Sequence, residues 1–315
     1  MPVFNDWESL RLLLGKLNAV LGCADVSVKV LAIDDASTRP LKISELTATA
    51  LEFIDEISVL ELTRNLGHQR AIVLGLTYVN FNEECDAVIL MDADGEDSPK
   101  DVLRLIEKCR ETEFEKLVFA RRMKRSESHS FKAFYFIYRL LYRILTGNEI
   151  RVGNFSIVPF QILPRLVCVS EVWNHYSVGL IKSKLPNTEI LVDRSKRLAG
   201  KSKMNFVSLV AHGLSAISVY GDVVGIRLLI LTLLLILAAL VGVVATVFVR
   251  LMTDLAIPGW ATNLTAILLV IALQASVLSV FFVFIILSSR NNVSFLPVKD
   301  YLPYILRVRS IYKNK

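Results

Sequence analysis

Two stretches without a single charged side chain, Leu228–Val249 and Leu255–Ser289, constrain this chain more than any other feature. A helix of roughly 20 apolar residues crosses the hydrocarbon core of a bilayer. The first stretch has the length of one span. The second holds one span after a lead-in containing Pro258, Gly259 and Trp260. A buried core helix is the competing reading, and uninterrupted runs of this length argue against it. Residues are 53% hydrophobic overall, and the excess falls in this last third, because the chain up to about Tyr220 carries charge at ordinary globular density. One soluble domain followed by two transmembrane helices is the expected organisation.

Basic residues set the expected orientation. Arg290, Lys299, Arg307, Arg309, Lys313 and Lys315 follow the second span, and Lys196, Arg197, Lys201, Lys203 and Arg227 precede the first. The loop between them has only Arg250, beside Asp254. The positive-inside rule therefore puts both ends in the cytoplasm, and the N-terminus shows no secretory signal pattern. The net charge of +6 lies largely beside membrane, where anionic lipid is a simpler partner than nucleic acid. Cys23, Cys85, Cys109 and Cys168 have neither metal-site nor redox spacing and read as reduced cytosolic thiols.

The soluble part alternates helical and strand-like segments. Trp7–Leu21, Arg70–Val79 and a segment opened by Ser98 and Pro99 and running to about Arg110 have helical character. Val26–Ile33, Ile57–Leu62, Ala87–Met91 and Leu117–Phe119 read as strands. Such alternation predicts a parallel sheet covered by helices, with ligands beyond the carboxyl ends of the strands. Three polar clusters then share one edge: Asp34-Asp35, Asn65 to Gln69, and Asp92 to Asp97.

The third cluster lies in VILMDADGEDSP, Val88 to Pro99, where an apolar run gives way to Asp92, Asp94, Glu96 and Asp97. First-turn acids favoured by a helix dipole account for Glu96 and Asp97 but not for Asp92 at the strand end. The functional reading is a divalent-metal site. Carboxylates suit Mg²⁺ or Mn²⁺, which keep waters, bridge to substrate phosphates and neutralise a leaving diphosphate.

The ordered set Pro2-Val3-Phe4-Asn5-Asp6, Asp34-Asp35-Ala36-Ser37, Asn65-x-Gly67 with Ala71 and Gly75, and Asp92-Ala-Asp94-x-Glu96-Asp97-x-Pro99 resembles family 2 glycosyltransferases. More narrowly it resembles the polyprenyl-phosphate glycosyltransferases, over essentially the whole chain. The resemblance implies a GT-A (Rossmann-like) α/β fold and inverting transfer of a sugar from a nucleotide to a lipid phosphate. It implies that Pro2, Val3, Asp6, Asp35, Asn65 and Asp92 hold the nucleotide, and that Asp94 and Glu96, with Asp92 nearby, hold the metal. The family usually has Gln where this chain has Glu96.

A second informative stretch is VDRSKRLAGKSKM, which brings Arg194, Arg197, Lys201, Ser202 and Lys203 together. It reads either as a solvated membrane-proximal patch or as a phosphate clamp. The family pattern Arg-x-x-Arg-x-x-Gly-x-Ser-Lys matches Arg194, Arg197, Gly200, Ser202 and Lys203, and implies contact with donor diphosphate and acceptor phosphate. Arg122 and Arg125 are expected to assist, and either Arg121 or Arg122 points inward. In GNFSI, Asn154 stands where the family frequently has an acidic candidate base, and Ser156 where it has Arg. A phosphate monoester with a second pKa of about 6 is already ionised at neutral pH, so Asn154 is expected to orient the acceptor rather than deprotonate it. An inactive site is the other reading of this change.

Phe131 to Leu145, with Arg139 and Arg143, reads as a lipid-contacting or a core helix. Asn205 to Asp222 reads as an amphipathic helix, with Phe206, Leu209, Val210, Leu214 and Ile217 opposite its polar residues, lying at the membrane interface or between subunits of a homo-oligomer. His68, His129, His175 and His212 read as structural. Met1 directly precedes Pro2, so the family's first strand is nearly absent, which would leave neighbouring backbone groups without partners or reflect a late recorded start.

The expected organisation is a cytoplasmic GT-A domain over 1–200, an amphipathic juxtamembrane helix over 201–223, two transmembrane helices over 224–289 and a basic cytoplasmic tail over 290–315. The expected function is metal-dependent transfer of a hexose to a polyprenyl phosphate at the bacterial inner membrane, with Asp94, Asn154, Arg194 and Arg197 catalytic. UDP-glucose and undecaprenyl phosphate are the preferred pair, and GDP-mannose with dolichyl phosphate is the alternative. A membrane scaffold that keeps the fold without activity is the rival from another class.

Overall fold

The computed structural model describes residues 1–43, 51–123, 129–149, 152–200, 206–253, 259–291 and 295–314. Two compact units divide the chain. The first comprises Met1–Phe136, Ile150–Val219 and Ser294–Lys315, and the second Ile137–Glu149 and Tyr220–Val293.

In the first unit, helix α1 (Trp7–Leu21) forms where Leu10, Leu13, Leu14, Leu17 and Leu21 recur on one face, and all five are buried. Strands β1 (Pro2–Val3), β2 (Lys29–Asp34) and β3 (Glu56–Leu62) run parallel. Helix α2 (His68–Asn82) follows β3, and β4 (Ala87–Leu90) leads into the acidic loop. Helix α3 (Pro99–Glu111) starts with proline in its first turn, while the Ser98 hydroxyl makes no capping hydrogen bond. Strand β5 (Leu117–Arg122) is followed by α4 (His129–Thr146), β6 (Ser156–Pro159), α5 (Tyr176–Lys182), β7 (Asn187–Val192) and α6 (Phe206–Ser218).

The sheet is mixed rather than wholly parallel, and it is divided into two. Strand β8 (Ile305–Lys313) completes the order β1-β2-β3-β8, and the other sheet has the order β4-β6-β5-β7. Strand β6 runs antiparallel to both neighbours, whereas β5 and β7 are parallel. Being antiparallel, β6 starts at the edge where β5 ends. Strand β4 pairs with β6 alone among the described strands, so the acidic loop leaves an edge strand.

The first strand is short, yet it satisfies the groups it meets. The Met1 ammonium donates to Leu31 O at 2.9 Å, Ile33 N–H donates to Met1 O at 2.8 Å, and Asp35 N–H donates to Val3 O at 2.9 Å. The segment 290–315 is more than a basic tail. Its β8 lies antiparallel along the whole of β3, and Arg307 and Arg309 both pair with the buried carboxylate of Glu61. Just before β8, Phe295 stacks on Trp173 with ring centroids 3.7 Å apart, and Tyr301 stacks on Phe81 at 5.5 Å.

Helix α6 buries Gly213 and Ala216 and leaves Val207 and Leu214, seven residues apart on one face, exposed. It ends at Ser218, and Asp222 already lies in the following helix.

The second unit is built on α7 (Gly221–Met252) and α8 (Trp260–Asn291), both long and apolar enough to cross a membrane. They pack antiparallel. Gly225, Thr232, Ala239 and Thr246 are buried along α7 at seven-residue intervals. A Cβ at Gly225 would come within 2.8 Å of Ile286, so glycine permits the close approach. Ser279 Oγ donates to Thr232 Oγ1 at 2.7 Å. In the C-terminal part of α4, Ile137, Leu140, Leu141 and Ile144 are exposed, which excludes the core-helix reading for this part. Arg227 donates to Ile144 O at 2.6 Å, satisfying a carbonyl that α4's last turn leaves open.

Candidate functional site

The three polar clusters meet at one edge of the first unit, as the sequence predicted. The Asp35 carboxylate is buried and accepts Leu66 N–H at 2.7 Å and Gly67 N–H at 2.9 Å. Asn65 Nδ2 donates to Asp35 O at 3.2 Å. Burial raises the Asp35 pKa, against the pull of those two amides. Asp35 and Asn65, read as nucleotide contacts, thus fix the loop after β3 to the loop after β2. Gly67 has φ of 89°, a left-handed conformation that suits glycine. Pro2 and Val3 form β1, and the loop after them joins the same edge through Asn5 N–H, which donates to Ser37 Oγ at 2.9 Å.

The acidic loop turns at Gly95, where φ is 81°. A Cβ there would lie 2.4 Å from Leu198 Cγ. Asp94 Oδ1 accepts Glu96 N–H at 2.9 Å, and Asp97 Oδ2 accepts Asp92 N–H at 3.0 Å. Every acid of the loop has a cationic neighbour. Asp97 Oδ1 accepts Arg122 Nη2–H at 2.9 Å, and Asp92 Oδ1 lies 3.2 Å from His68 Nε2. Arg197 bridges Asp94, through Nη1 at 3.0 Å, and Asp6, through Nη2 at 3.1 Å. Arg194 Nε donates to Glu96 Oε2 at 2.9 Å.

The loop carrying both arginines lies on the acidic loop. Ser195 N–H donates to Glu96 O and Leu198 N–H to Asp94 O, each at 2.9 Å. Burial pushes the Asp97 carboxyl up to about 7, with Asp92 adding to the rise and Arg122 opposing it. Asp94 is raised by burial, then by Asp92 and Glu96. Burial also opposes ionisation of Asp92, but His68, Arg122 and the N-terminal ammonium together outweigh it and the Asp92 pKa is lowered.

Arg194 and Arg197, expected to face phosphates, therefore contact the expected metal ligands. Arg122 points into the acidic cluster, while Arg121 turns away to Glu189 at 2.6 Å. Arg122 supports Asp97 through this pair. Arg125, Ser202 and Lys203 lie outside the described residues. The hard-oxygen donors of Asp92, Asp94 and Glu96 fit a divalent cation by chemistry. Among the described residues no three His, Cys, Asp or Glu side chains converge as a ready metal cage. An ion that keeps waters and completes its shell on substrate phosphates needs no such cage.

Asn154 joins this edge through a residue read as structural. His68 Nε2 lies 3.1 Å from Asn154 Nδ2 as well as beside Asp92. Ser156 Oγ donates to Asn154 O at 2.9 Å and is 3.0 Å from the Tyr176 hydroxyl. His68 directly follows Asn65-x-Gly67, and its place at the first position of a helix beside the strand ends was the available signal.

A protein-family model described as Glycosyl transferase family 2 matches residues 1–165. The chain is 26% identical over 228 residues to the uncharacterized glycosyltransferase YkcC of Bacillus subtilis, covering 70% of this chain and 67% of that one. It is 24% identical over 275 residues to the putative glycosyltransferase CsbB of the same organism, covering 85% and 80%. It is 30% identical over 218 residues to an undecaprenyl-phosphate 4-deoxy-4-formamido-L-arabinose transferase of Salmonella enteritidis, covering 67% and 63%.

Proposed function

This chain belongs to glycosyl transferase family 2, and we propose that it transfers a hexose from a nucleotide sugar to a polyprenyl phosphate, inverting the anomeric carbon. UDP-glucose and undecaprenyl phosphate are the preferred donor and acceptor. The observation that carries this reading is the pairing of Asp94 with Arg197 and of Glu96 with Arg194 at the carboxyl edge of the strands. Such an edge holds both charge types that a nucleoside diphosphate and a divalent cation require. The relative whose name gives undecaprenyl phosphate as acceptor supports the same class of lipid here.

In this reading a phosphate oxygen of the lipid attacks the anomeric carbon, the glycosidic C–O bond to the donor diphosphate breaks, and the nucleoside diphosphate leaves. The attacking monoester is ionised near neutral pH, so the amide of Asn154 suffices to orient it. Asp94 with Glu96, and Asp92 nearby, would hold Mg²⁺ or Mn²⁺, which would supply charge neutralisation for the departing diphosphate. Arg194 and Arg197 exchange their carboxylate partners for phosphate oxygens, and Arg122 keeps Asp97 in place. Asp6 and Asp35 hold the loops that receive the nucleotide. Helices α7 and α8 anchor the chain in the bacterial inner membrane, with both ends of the pair in the cytoplasm, where nucleotide sugars are made.

The test uses the purified full chain in detergent with undecaprenyl phosphate and labelled UDP-glucose, GDP-mannose and other nucleotide sugars, with Mg²⁺ or Mn²⁺ present or chelated. Divalent-dependent label in the lipid fraction is the expected result. Label that reaches no lipid phosphate from any donor, in protein that binds nucleotide, overturns the reading.

A further inference from the structure

We propose that His68 is a positioning residue that sets the Asn154 amide to receive the acceptor phosphate. The inference deepens the acceptor assignment above and rests on it. His68 is the first residue of α2, and its Nε2 faces two groups at once: Asp92 Oδ1 at 3.2 Å and the Asn154 amide at 3.1 Å.

Hydrogen-bond logic fixes what this contact does. Nε2 makes its hydrogen bond with Asn154, and Asp92 Oδ1 beside it, which has no hydrogen-bond partner among the described residues, favours a proton on that nitrogen. An amide –NH2 facing that N–H sets donor against donor. The two ends of an asparagine amide are assigned from their partners, and turning this one by half a turn removes the conflict. The Asn154 oxygen then accepts from His68 Nε2, and its –NH2 points away from the ring.

What lies beyond is open. A Cβ at Gly67 or at Gly153 would meet no atom within 4 Å, so the residues flanking His68 and Asn154 leave the rim clear for a ligand. The two N–H donors of the turned amide suit a phosphate oxygen. The backbone of Asn154 is secured from the same helix. Gln69 Oε1 accepts Tyr176 N–H at 2.7 Å, the Tyr176 hydroxyl lies 3.0 Å from Ser156 Oγ, and Ser156 Oγ donates to Asn154 O at 2.9 Å. The first two residues of α2 therefore hold Asn154 at both ends, His68 by the amide and Gln69 through the Tyr176–Ser156 relay.

The experiment is a double-mutant cycle on the full chain in detergent with divalent cation present. His68→Ala, Asn154→Ala, the double variant and His68→Gln are compared for KM of a short-chain polyprenyl phosphate, KM of the nucleotide sugar, and nucleotide binding. A lost hydrogen bond at the acceptor is expected to raise the lipid-phosphate KM about tenfold in each single variant. The double variant stays near tenfold, because His68 acts through Asn154. Nucleotide binding stays within about twofold, since a residue that acts on the acceptor side leaves donor binding unchanged. His68→Gln, whose amide can make the same donation, restores part of the loss.

A multiplicative effect of about a hundredfold in the double variant overturns the proposal, because independent sites add in free energy. So does a change in nucleotide-sugar KM with the lipid-phosphate KM unmoved. If His68→Ala no longer binds nucleotide, His68→Gln decides: a lipid-phosphate KM below that of Asn154→Ala supports the role, and an equal or higher one overturns it. Wild-type protein that transfers to no lipid phosphate overturns the acceptor reading and this inference together. Wild-type transfer with an unchanged KM in His68→Ala overturns this inference alone.

Discussion

At the acidic edge, Asp92, Asp94, Glu96 and Asp97 each lie against His68, Arg197, Arg194 or Arg122. Along α7 and α8 the buried polar contact is between two hydroxyls, Thr232 and Ser279, among glycines and aliphatic side chains. Both regions satisfy polar groups away from water, by different means. The edge uses full charges that a ligand can exchange. The helix pair uses small neutral groups that satisfy one another and offer nothing to exchange. The difference teaches where function can reside: partners held by charge can be traded for a cation and a diphosphate, whereas close helix packing can only be kept or lost.

Substitution at the edge should be the most damaging. Asp94→Ala is expected to lower lipid-linked transfer by roughly 10³-fold or more, as for loss of a principal electrostatic contact. Transfer within tenfold of wild type would break the contrast. Arg197→Ala, measured in the same assay, is expected to cost about 10²-fold, and Arg197→Lys should not restore it, because a point charge cannot bridge Asp94 and Asp6 as a fork does.

A third expectation concerns pH. His175 is 5% exposed, its ring centroid lies 4.6 Å from that of His212, and burial, then His212 and His68, lower its pKa to about 3. Below about pH 6.5 the unfolded chain takes up a proton that the folded chain refuses at this ring. Stability should therefore be full above pH 6.5 and fall as pH drops towards 3, by roughly 2 kcal/mol at pH 5. Thermal unfolding in detergent measures it, and His175→Phe should flatten the slope. An equally steep slope in that variant would assign the acid sensitivity to other groups. The smallest effect belongs to the helix pair. Thr232→Val should cost about 0.6 kcal/mol, the usual size of a hydrogen bond between spans. A loss comparable with that of Arg197→Ala would show that the spans do more than pack.

The two long apolar helices, α1 and the strand starts were legible because each rests on local pattern: leucine spacing, β-branched runs, absence of charge. The antiparallel course of β6 was not, since it depends on the edge at which the chain re-enters the sheet and not on the residues of β6. Strand β8 was read as a basic tail because Arg307 and Arg309 look like membrane-proximal charge. Their partner, Glu61, lies about 250 positions earlier in the sequence. The acids of the site were visible as a motif. Their partnering with Arg194 and Arg197 was not, because roles borrowed from a substrate-bound site say nothing of whom the carboxylates face without one. His68 was passed over because it has no metal-like spacing, and its contacts with Asp92 and Asn154 exist only in the fold.

Strand β8 also bears on how the chain is made. About 240 residues separate the end of β3 from the start of β8, and both helices long and apolar enough to cross a membrane lie between them. At ribosomal rates of 5–20 residues per second, the outer edge of β3 waits roughly 10–50 s for its partner. During that interval it offers unpaired backbone groups, the kind of edge on which chains aggregate. Glu61, too, lacks both of its arginines until the final residues emerge. Completion of this sheet thereby comes later than emergence of both long apolar helices, so a chain cut short between them and β8 would carry an open sheet edge for the quality-control machinery to find.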